Sequence, residues 1–334
     1  MLQKIVSLPA ASILGRAMLC LGLILLSTGC QKTTSTRLNT LKDSRLSGRD
    51  CYFVVEVSTV SQILKPFSHS TIQNLVSAEV YYLHYKIPDA TSGATRMEVS
   101  ESFSLVSAPS VDSDIFLVSG TKFNVARIEL ERAFLYEVAD RGWHELRPKQ
   151  FTTAFEGDYV RPYNLDRTLI FSKGVVRIEE NSLELIAEGG FADVLRDPSL
   201  KGMIINHCPF LLKDGNELIL QPGGNSKELR LFTRTNESSV VQISLDGRLV
   251  GAERIGGVLN LAFQHAGETA VLEVETGKIF RHPKGLFVAW DPMTGEVLLS
   301  QNFGPSRSSF DYTLWHFREA REENGVVDWS TSSK

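Results

Sequence analysis

Apolar and polar residues alternate along much of the chain, and the alternation is typical of β-strands. Beyond residue 50, short runs rich in Val, Ile, Tyr and Phe, such as CYFVVEVS and AEVYYLHYKI, are separated by Ser, Asp, Gly and Pro. Few segments carry a helical period, and the three candidates are residues 122–137, 191–196 and 313–323. About 280 residues without a long low-complexity linker fit one large all-β domain over residues 50–330.

Six segments repeat one shape, in which a tight polar turn joins two apolar strands. They span residues 134–146, 175–186, 210–220, 240–251, 270–280 and 287–299. Asp214-Gly215 and Asp246-Gly247 are hairpin-turn signals, because both residue types adopt positive φ. Residues 135–146 overlay residues 175–186 with a shift of 40 positions, and a repeat of that length is typical of four-stranded propeller blades. The pattern predicts a β-propeller of five to seven blades, with another large antiparallel β domain as the alternative.

The C-terminal segment YTLWHFREAREENGVVDW has two interpretations. Asn324-Gly325 predicts a hairpin turn, and Thr313, Trp315 and Phe317 alternate as one inward face would, so the tail would complete a blade. The alternative is a short helix over residues 314–323 that ends at Asn-Gly.

The first 29 residues predict a signal peptide. Lys4 and Arg16 precede an uncharged run of residues 17–26, which is shorter than the roughly 20 residues of a membrane-spanning helix. The small residues that end at Cys30 resemble the bacterial lipobox, although Leu26 stands one position earlier than in the family pattern. The resemblance implies acyl chains, such as palmitate, on Cys30 and cleavage before it. Gln31 in place of Asp then implies the outer membrane, facing the periplasm; the alternative is an ordinary secretory signal with an incidental cysteine.

Charge narrows the range of partners. Cleavage would remove Lys4 and Arg16 from the 35 basic residues and leave all 39 acidic ones, so the mature chain would carry a net charge of −6. This balance argues against a nucleic-acid partner, which needs a basic surface. Residues 30–49 are basic and rich in Ser and Thr, and they predict a flexible tether between the lipidated cysteine and the domain.

Two further cysteines remain after Cys30. Export would place Cys51 and Cys208 in an oxidising compartment, where they could form a disulfide. The alternative is two separately buried thiols, because free cysteine is among the most buried residue types.

No catalytic, cofactor or metal signature stands out. The seven histidines are scattered, and His144-Glu145 lacks the second histidine of a metalloprotease helix. Sequences of the form GxSxG and GK[ST] are absent. The tyrosine cluster at residues 81–85 and the aromatic residues at 310–317 predict core packing, and Trp143, Trp290 and Trp329 predict contacts that seal gaps between blades.

One hairpin carries a family resemblance. In VAWDPMTGEVLLS, residues 288–300, the positions of Asp291, Thr294 and Gly295 resemble the repeat of the quinoprotein-like propellers, which implies a propeller fold. Together these features predict a non-catalytic, lipid-anchored envelope protein whose β-domain binds another envelope protein or a glycan. The alternative is an exported hydrolase of glycan or peptide, with a site built from propeller loops.

Overall fold

The strands of the chain form five sheets. The structure, a computed structural model, describes residues 33–64, 71–107, 114–118, 123–128, 132–148, 159–160, 168–171, 174–179, 182–187, 210–212, 217–221, 226–233, 238–302, 304 and 307–328. A short 3-10 helix at Ala90–Ser92 interrupts the strands. No helix within these described residues is long and apolar enough to cross a membrane.

The first two sheets occupy the N-terminal half of the chain. Sheet 1 is an antiparallel meander of β1 (Thr33–Ser47), β2 (Asp50–Leu64), β3 (Thr71–Lys86) and β4 (Glu98–Ser107). Sheet 2 contains β5 (Asp114–Val118), β6 (Asn124–Ile128), β7 (Ala133–Glu137), β8 (Gly142–Pro148), β9 (Tyr159–Val160), β10 (Thr168–Phe171), β11 (Gly174–Glu179) and β12 (Ser182–Ala187). It consists of two four-stranded meanders, and a short parallel pairing of β8 with β12 joins them.

The C-terminal half forms three four-stranded antiparallel meanders. Sheet 3 contains β13 (Phe210–Leu212), β14 (Glu217–Leu220), β15 (Glu228–Thr233) and β16 (Ser238–Gln242). Sheet 4 contains β17 (Arg248–Ile255), β18 (Val258–His265), β19 (Glu268–Glu273) and β20 (Ile279–His282). Sheet 5 contains β21 (Leu286–Trp290), β22 (Val297–Gln301), β23 (Ser309–His316) and β24 (Arg321–Asp328).

The hydrophobic cores lie between neighbouring sheets, which confirms the predicted β-propeller, here with five sheets as its blades. Leu229 of sheet 3 packs with Leu261 of sheet 4, and Val271 of sheet 4 packs with Trp290 of sheet 5. Val54 of sheet 1 shares a core with Leu117 of sheet 2. Each of these sheets therefore buries a face against a neighbouring blade.

The first and last sheets close the ring. Phe53, Tyr85, Phe310 and Leu314 belong to one buried cluster that both sheets share. Beside this cluster, the segment that precedes β4 pairs in parallel with β24: Val326 N–H donates to the carbonyl of Thr95 at 2.8 Å, and Met97 N–H donates to the carbonyl of Val326 at 3.0 Å. The C-terminal strand of the ring is therefore bonded to the N-terminal blade.

Sheet 1 corrects the predicted tether. Residues 33–47 form β1, which pairs with β2 along its whole length and lies against β5 and β21. The prediction of a flexible segment over residues 30–49 is therefore wrong for these residues. Cross-strand pairing with β2 satisfies the backbone hydrogen bonds of these residues.

Two other element predictions are wrong. The proposed helices at residues 122–137 and 313–323 are replaced by the pairs β6–β7 and β23–β24; residues 191–196 lie outside the described residues. Asn324-Gly325 lies inside β24, and the hairpin turn occupies residues 317–320, where Ala320 has a φ of 52°.

Asp246-Gly247 is not a hairpin turn either, because it connects β16 of sheet 3 to β17 of sheet 4. The other five predicted hairpins are confirmed, since their strands pair as β7–β8, β11–β12, β13–β14, β19–β20 and β21–β22.

Candidate functional site

The structure places one of the three predicted site cysteines. Cys51 is fully buried in β2 and has no disulfide partner among the described residues. Burial, and then the negative charge of Asp50, raise the pKa of this thiol far above its usual range. Cys30 and Cys208 lie outside the described residues, so lipidation and the Cys51–Cys208 pairing stay predictions.

Most of the aromatic residues pack in the core, as predicted. Tyr82 and Tyr85 are buried on opposite faces of β3, one toward sheet 2 and the other toward sheet 5. The Trp143 indole N–H donates to the carbonyl of Leu105 at 3.2 Å, and Trp290 is buried between sheets 4 and 5. Their role in sealing inter-blade gaps is therefore confirmed, whereas Trp329 lies outside the described residues.

Asp291 has a second role that sequence reasoning missed. Its Oδ1 accepts the N–H of Met293 at 2.9 Å, and Gly295 follows with a φ of 80°, so the turn uses the local chemistry that the motif predicts. Its Oδ2 accepts the N–H of Gly48 at 2.8 Å, from the β1–β2 turn of the neighbouring sheet. Asp291 is 1 % exposed, so this bond links the two closing blades inside the protein.

Similar polar contacts cross other seams between sheets. Asp43 of sheet 1 accepts the N–H of Leu117 in sheet 2 at 2.8 Å. Gln221, after sheet 3, accepts the N–H of Leu249 in sheet 4 at 2.7 Å. These side chains are buried and hydrogen-bonded, so we infer that they fix the position of one blade against the next rather than bind a ligand.

A buried histidine lies in an ion-pair network at the closing seam. His316 Nδ1 is 2.6 Å from a carboxylate oxygen of Glu296, and its Nε2 is 3.2 Å from Glu323. Arg49 of sheet 1 donates to Glu323 at 2.7 Å. The Arg49–Glu323 pair therefore cross-links sheets 1 and 5, and both ring nitrogens of His316 face carboxylates rather than a ligand.

The β7–β8 hairpin brings together three potential metal ligands. Glu137 ends β7, Asp140 lies in the turn and His144 is the third residue of β8, and one ligand atom from each lies within 4.8 Å of the others. The register explains the grouping, because Leu135 is paired with His144, which makes Glu137 the diagonal neighbour of His144 on the same face. The sequence analysis did not predict this group, because it compared His144 only with the histidines of a metalloprotease helix. The sequence feature that indicates the group is a Glu-x2-Asp-x3-His spacing across a hairpin turn.

Sheet 1 also carries an extension that we call the projecting ribbon, formed by residues 33–37, 59–64 and 71–77. The strands β1 to β3 are 15, 15 and 16 residues long, or about 50 Å, whereas β4 pairs with β3 only over residues 79–86. Within the described part of the chain, no strand pairs with the outer edge of β3 along the ribbon. This edge presents backbone groups that could pair with another polypeptide.

The free edge of the ribbon is also apolar at one place. Leu75 and Val76 are 59 % and 63 % exposed. Thr59 is paired with Ser77 and Val60 with Leu75, so Val76 is the extra residue of a β-bulge. The ribbon thus combines an unpaired edge with exposed apolar side chains, which are the features of a strand-addition site.

No protein-family model and no curated protein matches the chain. Among solved structures, it is similar to dihydro-heme d1 dehydrogenase NirN in complex with DHE, with 11% identity over 86% of this chain and 67% of that one and a TM-score of 0.36. For Citrobacter koseri AztD the identity is 9% over 88% and 98% of the two chains, with a TM-score of 0.35. For Pyrococcus horikoshii acylaminoacyl peptidase the identity is 8% over 86% and 52%, with a TM-score of 0.35. These similarities carry no argument about function.

Proposed function

We propose that this protein is a lipid-anchored component of the bacterial envelope and that its propeller is a binding platform for another envelope protein. The lipobox-like segment that ends at Cys30 supports the anchor. The projecting ribbon supports the platform, because it offers a partner both hydrogen-bonding edge and apolar contact. The partner would add an extended strand to the outer edge of β3 at residues 71–77.

The position of the ribbon relative to the proposed anchor supports this role. Thr33, the first residue of β1, follows Cys30 by three positions, which span at most about 10 Å of extended chain. An acylated Cys30 would therefore hold the ribbon close to the membrane surface, with the rest of the propeller beyond it. A partner in or near the same membrane would meet the ribbon before any other blade.

Charged substitutions on the ribbon test the platform. Lysine blunts a free strand edge, because an added partner strand would have to bury the ammonium group. We expect Leu75→Lys/Val76→Lys to remove the main protein that wild type captures from detergent-solubilised membranes. Val240→Lys is the matched control, because Val240 is 57 % exposed on β16, another outer strand, and its lysine should leave capture unchanged.

Two results would overturn the platform. One is equal capture by the ribbon variant and wild type, and the other is an equal loss in Val240→Lys. If the ribbon variant also melts at a lower temperature, Leu75→Ser would replace it, because serine removes most of the apolar side-chain surface without adding a charge.

The anchor is tested separately. Cys30→Ala should leave an uncleaved or mislocalised precursor, and globomycin should cause the lipidated precursor of wild type to accumulate. A mature N-terminus that maps elsewhere and carries no acyl mass would contradict the lipoprotein assignment, whatever the ribbon binds.

A further inference from the structure

The group formed by Glu137, Asp140 and His144 is a set of ligands without an explained structural role. All three side chains are on one hairpin, with ligand atoms within 4.8 Å of one another. Carboxylate oxygens and an imidazole nitrogen at these separations suit a shared cation, whereas two carboxylates this close repel each other without one. The hairpin itself closes by backbone pairing of β7 with β8 and does not need this group.

The imidazole provides a second, independent observation. His144 Nε2 is buried and has no hydrogen-bond partner within the described part of the chain. By contrast, Nε2 of His84 lies 2.8 Å from Asp50, so another strand histidine of the same protein does find a partner. A buried nitrogen without a partner costs free energy that coordination of a cation would recover.

Gly142 provides room beside this nitrogen. A Cβ atom placed on Gly142 would lie 3.7 Å from His144 Nε2, and Gly142 is the residue paired with Glu137. Nε2 therefore lies over the turn end of the hairpin, on the side where Glu137 is located. Any larger side chain at residue 142 would take up this space.

The neighbouring cations are engaged with aromatic rings. The Arg141 guanidinium lies 5.8 Å from the ring centre of Phe103 in sheet 1. The Arg127 guanidinium lies 4.6 Å from the ring centre of Phe134. Both guanidinium groups thus lie beside aromatic faces.

We propose that Glu137, Asp140 and His144 bind a divalent transition-metal ion of the zinc class. The imidazole favours such an ion over Mg²⁺ or Ca²⁺, which prefer sites made only of oxygen ligands. Three protein ligands leave a coordination position for water or for a side chain of a bound partner. The site lies on sheet 2, away from the projecting ribbon, so it is a binding site in addition to the platform.

Calorimetric titration of tag-free protein with Zn²⁺ tests the site, with Mg²⁺ as a second titrant. We expect one Zn²⁺ per chain and much weaker Mg²⁺ binding. His144→Gln should weaken Zn²⁺ binding at least tenfold, and Asp140→Asn should weaken it severalfold. Glu145→Gln is the matched control, because it removes a charge from the next residue of β8, which faces the other side of the sheet, and it should bind as wild type does.

Several results would overturn the site. These are the absence of Zn²⁺ binding in wild type, equal binding by His144→Gln, and an equal loss in Glu145→Gln. Since His144 Nε2 makes no hydrogen bond within the described residues and Asp140 is exposed in the turn, both variants should keep the melting temperature of the metal-free wild type. A lower melting temperature for His144→Gln would direct the test to Asp140→Asn, whose unchanged affinity would equally contradict the proposal.

Discussion

At the scale of single residues, two buried tyrosines on β3 differ in one contact. The Tyr85 hydroxyl donates to the carbonyl of Asp328, whereas the Tyr82 hydroxyl is buried and has no partner within the described residues. Burial raises the pKa of both side chains. We expect Tyr82→Phe to leave the free energy of unfolding unchanged or raise it by about 1 kcal/mol, and Tyr85→Phe to lower it by about 1 kcal/mol. Urea denaturation of the two variants measures this difference, and a greater loss for Tyr82→Phe would contradict it.

Residue chemistry also limits what the sequence can predict. The turn around Asp291 was predictable, because an Asp that accepts turn amides and a Gly with positive φ act within a few residues. Its bond to Gly48 was not, because the two residues are 243 positions apart and only ring closure brings them together. The Glu137–Asp140–His144 group was missed for the same kind of reason, since its meaning depends on a hairpin register rather than on a motif.

At the scale of elements, Gly325 is the position where β24 meets the neighbouring blade. A Cβ atom there would lie 2.1 Å from the carbonyl oxygen of Thr95 and 2.6 Å from the ring of Tyr312. We expect Gly325→Ala to lower the free energy of unfolding by about 1–3 kcal/mol or more, because a backbone atom has to move. Gly304→Ala is the matched control, since its Cβ would approach only the Arg307 side chain, at 3.9 Å. Equal melting temperatures for the two variants would contradict the role of Gly325 in the closing seam.

Elements with strong local signals were predicted correctly, and elements that depend on distant partners were not. Residues 175–186 and 135–146 form equivalent hairpins, as their similarity predicted, because apolar runs around a polar turn pair locally. The strand at residues 33–47 was missed because its Ser, Thr and basic residues lack a clear apolar alternation, and only pairing with β2 makes it a strand. The hairpin turn predicted at Asn324-Gly325 was wrong for the opposite reason. These residues favour a turn, but within β24 they pair with Thr313 and Tyr312 of β23.

At the scale of the whole molecule, stability depends on the contact between the two ends of the chain. Deleting residues 310–334 would remove β24 and nearly all of β23, and with them Phe310, Leu314 and Val327 from the core shared with sheet 1. We expect a lower melting temperature and faster proteolysis of sheet 1 as well, because the deletion would expose its half of that core. Retention of wild-type melting temperature and protease resistance would show that the tail does not close the ring.

The proposed role of the projecting ribbon is to bind a protein partner in the envelope. Site-specific photo-crosslinking in intact cells tests it most directly, with the reactive side chain placed at residue 75 and, for comparison, at residue 240 of β16, which is also an exposed outer-strand position. We expect one dominant crosslinked protein from residue 75, its loss when Val76→Lys is added, and no such product from residue 240. No crosslinked protein from residue 75, or the same product from both positions, would contradict the claim.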